Sequence, residues 1–129
     1  WERLGTPNAY RCTTLMKFVS PRYKQHDSRR TLKGGNMGAW KEDIVAVNGY
    51  DEDFRGWGYE DTDLGERLRN RGLKMMNLKW GGIGYHLWHP ESSRSGLDSN
   101  LSRLQETRAS RRTRCLHGMD AHLPGDLSR

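Results

Sequence analysis

Cysteine is scarce in this sequence: only Cys12 and Cys115 occur in 129 residues, and they lie far apart. Two isolated cysteines give neither the framework of a disulfide-stapled domain nor the close spacing of a zinc site. A reducing compartment is therefore the default expectation. Long apolar runs are missing as well, because no stretch approaches the roughly 18 residues that a membrane span needs, and no signal peptide is visible.

Several catalytic motifs are also absent. The sequence has no glycine-rich phosphate loop of the nucleotide-hydrolase type, no Gly-x-Ser-x-Gly elbow and no His-Glu-x-x-His helix. Charge, by contrast, is plentiful: 29% of the residues are charged, 33% are hydrophobic, and the mean hydropathy is −0.98. Such a composition is polar for a globular domain and predicts a modest core.

The positive charge is concentrated at one end. Of the formal net charge of +6, residues 1–33 carry +6, residues 34–97 carry −2 and residues 98–129 carry +2. A basic arm of this kind suggests an anionic partner, either lipid headgroups or nucleic acid, although a solvated linker is the plainer interpretation. Nucleic acid ranks behind, because the sequence predicts no recognition helix and no sheet studded with aromatic residues.

Composition divides the chain into three parts: a loosely structured basic connector (1–33), a glycine-rich module (34–96), and a C-terminal helix with a polar tail (97–129). Asn48-Gly49 is expected to end the first helix, and Asp98 or Asn100 to cap the last one. Apolar spacing and turn residues predict helices at Lys41–Val47, from about Tyr59 to Gly72 and at Asp98–Arg114, and strands at Leu73–Trp80 and Ile83–Pro90.

Three carboxylates follow directly after a Gly-Trp-Gly turn: Glu60, Asp61 and Asp63. Acids are favoured at a helix N-terminus by the backbone dipole, so a solvated helix start is one interpretation. The other is a site, in which Glu60-Asp61 supplies a general base for a hydroxyl. Asp63 with Arg67, and likewise Glu66 with Arg69, have the spacing to pair on the exposed face of the helix.

Trp57 and two histidines allow the same pair of interpretations. Trp57, with glycine on both sides, can lie open beside a sugar ring or can anchor the core. His86 and His89 are spaced i, i+3, so on a strand they point to opposite faces and do not easily bind one ion together. One histidine with distant carboxylates suits a divalent cation, and a structural histidine is the plainer alternative.

The order of the motifs is more telling than any one of them. The sequence closely resembles the C-terminal half of family 2 glycosyltransferases, and the galactosyltransferase C-terminal module with its Trp-Gly-Trp-Gly-Gly-Glu-Asp-Asp block. The likeness is closest to bacterial enzymes that build lipopolysaccharide core or capsular glycans. It is strong over residues 34–90 and fair over 97–122. The matching motifs are Gly34-Gly35-Asn36-Met37, Val47-Asn48-Gly49-Tyr50-Asp51-Glu52-Asp53-Phe54, Gly56-Trp57-Gly58-Tyr59-Glu60-Asp61-Thr62-Asp63-Leu64 and Tyr85-His86-Leu87-Trp88-His89-Pro90.

This resemblance implies an α/β architecture: the C-terminal, acceptor-side part of an A-type glycosyltransferase fold, built around a mostly parallel sheet. The N-terminal nucleotide-binding half would be missing. It also implies a metal-dependent, inverting transfer of a sugar from a nucleotide-sugar donor to a hydroxyl of a glycan or lipid-linked acceptor. The implied roles are catalytic base for Asp61, acceptor contact for Glu60, acceptor pocket for Trp57 and Gly58, donor-sugar site for Gly35, Asn36 and Met37, and Mn²⁺ or Mg²⁺ ligand for His86, with His89 as second choice.

The sequence departs from the family pattern in two places. The metal- and nucleotide-binding Asp-x-Asp of the N-terminal half has no match before Gly34, and Asp61-Thr62-Asp63 has its letters only within the acceptor motif. Tyr59 stands where the galactosyltransferase block has glycine. We therefore expect a fragment of a longer, cytoplasmic enzyme that lies at the inner face of the membrane through residues 1–33. The alternatives are a non-catalytic sugar-binding remnant and a basic nucleic-acid-binding module.

Overall fold

The structure, a computed structural model, describes residues 24–26, 32, 34–78, 87–90 and 93–123. Two short 3₁₀ turns, at Gly34–Asn36 and Met119–Ala121, accompany the regular elements. These elements are β1 (Lys24–His26), α1 (Lys41–Ala46), α2 (Glu60–Asn70), β2 (Met76–Leu78) and α3 (Leu97–Ser110). No helix among the described residues is long and apolar enough to cross a membrane.

The described strands form a two-stranded antiparallel sheet in which Gln25 lies opposite Asn77. β1 gives regular structure to three residues of the stretch predicted as a loosely structured connector. β2 is shorter than the predicted strand Leu73–Trp80. The predicted return strand lies partly outside the described residues, and its last four residues, 87–90, have no regular structure. The mostly parallel sheet of an A-type fold therefore stays a prediction.

The helices lie close to their predicted positions, and their ends show why. Asn48 and Gly49, with φ values of 67° and 66°, adopt the left-handed conformation that ends α1, as asparagine and glycine do most readily. α3 ends at Ser110, earlier than the predicted Arg114, and its C-cap Arg111 is also left-handed. The expected cap of α3 is wrong: Gly96 occupies the N-cap, and Asn100 is fully buried.

The apolar core is small, as the composition predicts. Val47, Leu64 and Leu68 form its buried cluster. Helix α2 lies close to Leu32 at Gly65, where an added Cβ would be 2.7 Å from Leu32 Cδ1. Partly buried side chains that pack against the cluster are those of Leu32, Met37 and Ile44. A core of this size leaves much of the stability to polar contacts.

The central polar contact is an ion pair between Arg67 and Asp63, with 2.7 Å between Nε and Oδ2. The predicted pairing is correct, but its predicted place on the exposed face is wrong, because both side chains are fully buried. Arg67 Nη1 also donates to the carbonyl oxygens of Val47 and Gly49, at 2.6 and 2.8 Å. Thr107 of α3 donates to Asp63 Oδ1 at 2.6 Å. One buried pair thus joins α2 to the end of α1 and to α3.

The segment after α3 folds back on the turn that ends α1. Asn48 Nδ2 donates to the Cys115 carbonyl oxygen and to Asp120 Oδ1, at 3.2 and 3.0 Å. Gly118 fits here because it lacks a side chain: an added Cβ would lie 2.2 Å from the Asn48 carbonyl oxygen. Arg112 fixes the start of the segment through a 2.8 Å ion pair with the buried Asp51.

Replacing Arg67 with alanine is expected to destabilise the protein by about 3–5 kcal/mol, because Asp63 would remain buried with only the more distant Arg112 guanidinium, 3.8 Å away, as counter-charge. Arg108→Ala is the matched control, since Arg108 is half exposed in its ion pair with Glu66 and such pairs contribute less than about 1 kcal/mol. Chemical denaturation of both variants measures the difference. Equal losses of unfolding free energy would contradict the central role of the buried pair.

Candidate active site

The carboxylate of Asp61 lies where three segments of the chain meet. Its Oδ2 accepts a hydrogen bond from the backbone N–H of Gly34 at 2.7 Å, and its Oδ1 accepts one from the hydroxyl of Tyr50 at 2.9 Å. Asp61 itself is in the first turn of α2 and is only partly buried. Two donors from outside the helix therefore fix the orientation of a carboxylate that solvent still reaches.

Gly34 explains how the backbone comes so close to this carboxylate. A Cβ added at Gly34 would lie 2.2 Å from Asp61 Oδ1, a distance that no real side chain tolerates, whereas a Cβ at the adjacent Gly35 would meet nothing within 4 Å. Glycine at position 34 is thus required for close approach. The sequence singles out the Gly34-Gly35 pair, and the structure separates the roles of its two members.

Tyr50 is a site residue to which the sequence analysis assigns no role. Burial first, then the hydrogen bond to Asp61 and the negative charges of Asp61 and Glu60, raise the pKa of Tyr50 to about 12. The phenol therefore stays protonated and remains a donor to Asp61 at neutral pH. Its hydroxyl also lies 3.9 Å from Met37 Sδ. The one sequence feature that points to this role is the position of Tyr50 directly after the Asn48-Gly49 turn.

Glu60 and Asp61 are adjacent in sequence but make different contacts. Glu60 Oε2 accepts from the backbone N–H of Gly58 at 2.8 Å, so its carboxylate binds the loop that precedes the helix. Tyr59, which lies between Gly58 and Glu60 in the sequence, adopts the left-handed conformation at φ 71°. Asp63 is not part of the site, since its carboxylate belongs to the buried ion pair.

Trp57 is on the surface rather than in the core: 47% of it is exposed. Its backbone N–H donates to the carbonyl oxygen of Ser93 at 3.4 Å. The guanidinium of Arg94 lies over the indole, 4.8 Å from the ring centroid, in the range of a cation–π contact. The core-anchor interpretation of Trp57 is therefore wrong.

The remaining predicted residues are less closely associated with Asp61. Gly35 is exposed, Asn36 ends the 3₁₀ turn, and Met37 is half-buried against the core. His89 is exposed, with Nδ1 2.9 Å from the carbonyl oxygen of Pro90, and His86 lies outside the described residues. Within the described ranges, no three residues of the His, Cys, Asp and Glu types are grouped so as to hold a metal ion.

A family model described as the N-terminal domain of galactosyltransferase matches residues 14–90. The match covers more than half of the 129 residues and contains Asp61, Trp57 and Tyr50. The chain belongs to this galactosyltransferase family. The match begins at residue 14, whereas the strong resemblance noted in the sequence begins at residue 34. The match ends at residue 90, before α3. Membership of family 2 and the likeness to lipopolysaccharide enzymes remain predictions.

Curated relatives of the chain are glycosyltransferases and glycan synthases. Validoxylamine A glucosyltransferase of Streptomyces hygroscopicus subsp. jinggangensis (strain 5008) is 41% identical over 64 residues, 48% of this chain and 15% of that protein. Human chondroitin sulfate synthase 3 is 32% identical over 59 residues, 46% of this chain and 7% of that protein. Mouse β-1,4-galactosyltransferase 1 is 30% identical over 71 residues, 53% of this chain and 18% of that protein.

The alignments thus span less than a fifth of the length of each of these three relatives. No solved structure matches the chain at a significant level.

Replacing Gly34 with alanine is expected to displace the Asp61 carboxylate from both donors, because the new methyl group would occupy its place. The pKa of Tyr50 should then fall from about 12 towards 10, as the neutral phenol loses an anionic acceptor. Gly35→Ala should leave it unchanged, since a Cβ there meets open space. Ultraviolet titration of the tyrosines, with Tyr50→Phe to assign the signal, measures the shift. The same titration curve in both alanine variants would refute the assigned geometry.

Proposed function

We propose that this chain is the acceptor-binding and catalytic part of an inverting glycosyltransferase of the A-type fold, with Asp61 as general base. The observation that carries the proposal is the carboxylate of Asp61, which two external donors orient while it stays accessible to solvent. A carboxylate that served only the helix dipole would need neither the glycine at position 34 nor the hydroxyl of Tyr50. Membership of the galactosyltransferase family supports the reaction class.

The proposed reaction is a single displacement. The acceptor hydroxyl forms a bond from its oxygen to the anomeric carbon of the donor sugar as its proton passes to Asp61. The bond from that carbon to the nucleotide diphosphate breaks on the opposite face, and the electron pair leaves with the phosphate oxygen. Each oxygen of Asp61 accepts one hydrogen bond from the protein and retains acceptor capacity for the incoming hydroxyl.

Acceptor binding is assigned to the loop before α2. Arg94 covers one face of Trp57, which is 47% exposed, and the opposite face is the proposed contact for the apolar face of a sugar ring. Glu60, fixed by the Gly58 amide, is the proposed partner of acceptor hydroxyls. Gly35, Asn36 and Met37 are the proposed donor-side residues, since their segment begins at Gly34, which binds the base.

The divalent metal stays a prediction, because the described residues do not provide a full set of ligands for it. The described ranges contain no group of three or more His, Cys, Asp and Glu residues that could hold a metal ion, and the first-choice ligand His86 lies outside those ranges. Mn²⁺ or Mg²⁺, when bound, would neutralise the departing diphosphate. The nucleotide-sugar donor, the glycan or lipid-linked acceptor, and a contact of residues 1–33 with the inner face of a membrane are proposed partners in the same sense.

Replacing Asp61 with asparagine is expected to lower transfer activity by about 10²- to 10⁴-fold, the usual contribution of general base catalysis, with donor binding nearly unchanged. Asp43→Asn is the matched control, because Asp43 is an acid in the first turn of α1 and has no proposed role. The assay uses the full-length protein with a panel of nucleotide sugars.

Wild-type turnover in Asp61→Asn would refute the base assignment. Glycan binding without transfer by the wild-type protein would favour the sugar-binding remnant, and tight, salt-sensitive binding of DNA or RNA would favour the nucleic-acid module.

Replacing His86 with alanine is expected to raise the Mn²⁺ concentration required for half-maximal activity, because one ligand of the ion would be lost. His89→Ala in the same titration separates the two candidates. If the Mn²⁺ curve of His86→Ala overlays that of the wild type and His89→Ala shifts it, the ligand is His89. If neither variant shifts it, the assignment of a histidine ligand is wrong.

A further inference from the structure

The conformation of the loop Arg55–Gly58, which contains Trp57, is fixed by contacts with another segment of the chain. Gly56 and Gly58 have φ values of 70° and 115°, so the backbone is irregular and forms no repeating hydrogen bonds. Most hydrogen bonds of its backbone groups go to Ser93 and Asn100, more than 30 residues later in the sequence. The loop conformation therefore depends on the start of α3.

Asn100 supplies most of these partners. Its Oδ1 accepts from the Arg55 N–H at 3.3 Å, and its Nδ2 donates to the carbonyl oxygens of Arg55 and Gly58, both at 3.0 Å. The side chain is fully buried, so water does not replace these bonds. Both donor hydrogens of the amide are used. An aspartate here would keep the acceptor but lose both donors.

Two glycines allow the loop and the helix to touch. A Cβ added at Gly58 would lie 2.7 Å from Leu97 Cδ1, and one added at Gly96 would lie 2.6 Å from the Arg55 carbonyl oxygen. The neighbouring residues complete the contact, since Ser93 accepts from the Trp57 N–H and Arg94 stacks on its ring. The segment just before α3 thus contacts Trp57 at its backbone and at one ring face.

Gly58 connects this contact to the acidic pair. Its carbonyl oxygen accepts from Asn100, while its N–H donates to the carboxylate of Glu60. A change at Asn100 is therefore transmitted through a single residue to Glu60, and through the loop to Trp57. These are the two groups to which acceptor binding is assigned.

We propose that Asn100 is a positioning residue for the acceptor site, which holds the Trp57 loop and, through Gly58, the carboxylate of Glu60. The proposal rests on the proposed function, because it needs an acceptor that binds at Trp57 and Glu60. Asn100 itself is not a catalytic residue. It lies outside the part of the chain that the family model matches, residues 14–90.

The test compares Asn100→Ala with Asn70→Ala in the full-length protein. Asn70 is the matched control, because its Nδ2 also donates to a backbone carbonyl, that of Arg112, at 2.8 Å, but at the far end of α2. Asn100→Ala should raise the KM for the acceptor on the order of tenfold or more, since small displacements of a binding group are costly. The KM for the donor should stay within about twofold of the wild-type value for both variants.

Two additional variants keep the proposal testable if Asn100→Ala does not fold. Asn100→Asp retains the bond from the Arg55 N–H but places a buried carboxylate against the carbonyl oxygens of Arg55 and Gly58, so it should raise the acceptor KM at least as much as alanine does. Gly96→Ala leaves Asn100 intact but drives a methyl group against the Arg55 carbonyl oxygen, and it should raise the acceptor KM as well. Hydrogen–deuterium exchange supplies a readout independent of activity: the peptide that contains Arg55–Gly58 should exchange faster in all three variants and not in Asn70→Ala.

The outcomes separate this inference from the function on which it rests. If Asn100→Ala and Asn70→Ala have the same acceptor KM while Trp57→Ala raises it, the acceptor site stands and the role of Asn100 is refuted. If Trp57→Ala also leaves the acceptor KM unchanged, or if the wild-type protein transfers no sugar, the proposed function fails. In that case, faster exchange at Arg55–Gly58 in Asn100→Ala would still establish the contact between the loop and α3.

Discussion

The buried ion pair of Arg67 and Asp63 is the contact on which the arrangement of the three described helices depends. The apolar cluster around Val47, Leu64 and Leu68 is small, so it does not by itself fix how the helices lie. Arg67 binds the carbonyl oxygens that end α1, and Asp63 binds Thr107 of α3. Removing either charge leaves the other buried without its 2.7 Å ion pair, which is far more costly than losing a surface pair.

This constraint positions the candidate site. Asp63 and Asp61 are two residues apart in the first turn of α2, and they point in different directions: Asp63 into the protein, Asp61 towards Gly34 and Tyr50. Because Arg67 also binds Gly49, the adjacent Tyr50 is held at the distance at which its hydroxyl reaches Asp61. The buried acid thus orders the structure around the accessible one. The same short helix supplies both, and their separate roles follow from where each lies on it.

Much of the regular structure could be predicted from local sequence, because Asn48-Gly49 and Gly72 mark helix ends by their own conformational preferences. The burial of Arg67 could not, since an i, i+4 pair with Asp63 has the same sequence pattern on an exposed face as on a buried one. Only Thr107 and the carbonyl groups of the α1 turn distinguish the two. Asn100 is of a residue type that commonly caps helices, but its side chain binds the distant loop Arg55–Gly58 instead. The resemblance identified Asp61, and the geometry added Tyr50.

Tyr59 shows how these contacts act together. An L-residue in the left-handed region costs roughly 1–2 kcal/mol, and a bulky one persists there only when its surroundings dictate the backbone. At Tyr59 they do: Glu60 binds the N–H of Gly58 on one side, Asn100 binds the carbonyl oxygen of Gly58, and the helix that follows is fixed by Arg67. The turn into α2 is therefore determined from both ends. Glycine, the family's residue at this position, would relieve the backbone without changing the contacts that direct Trp57 and Asp61.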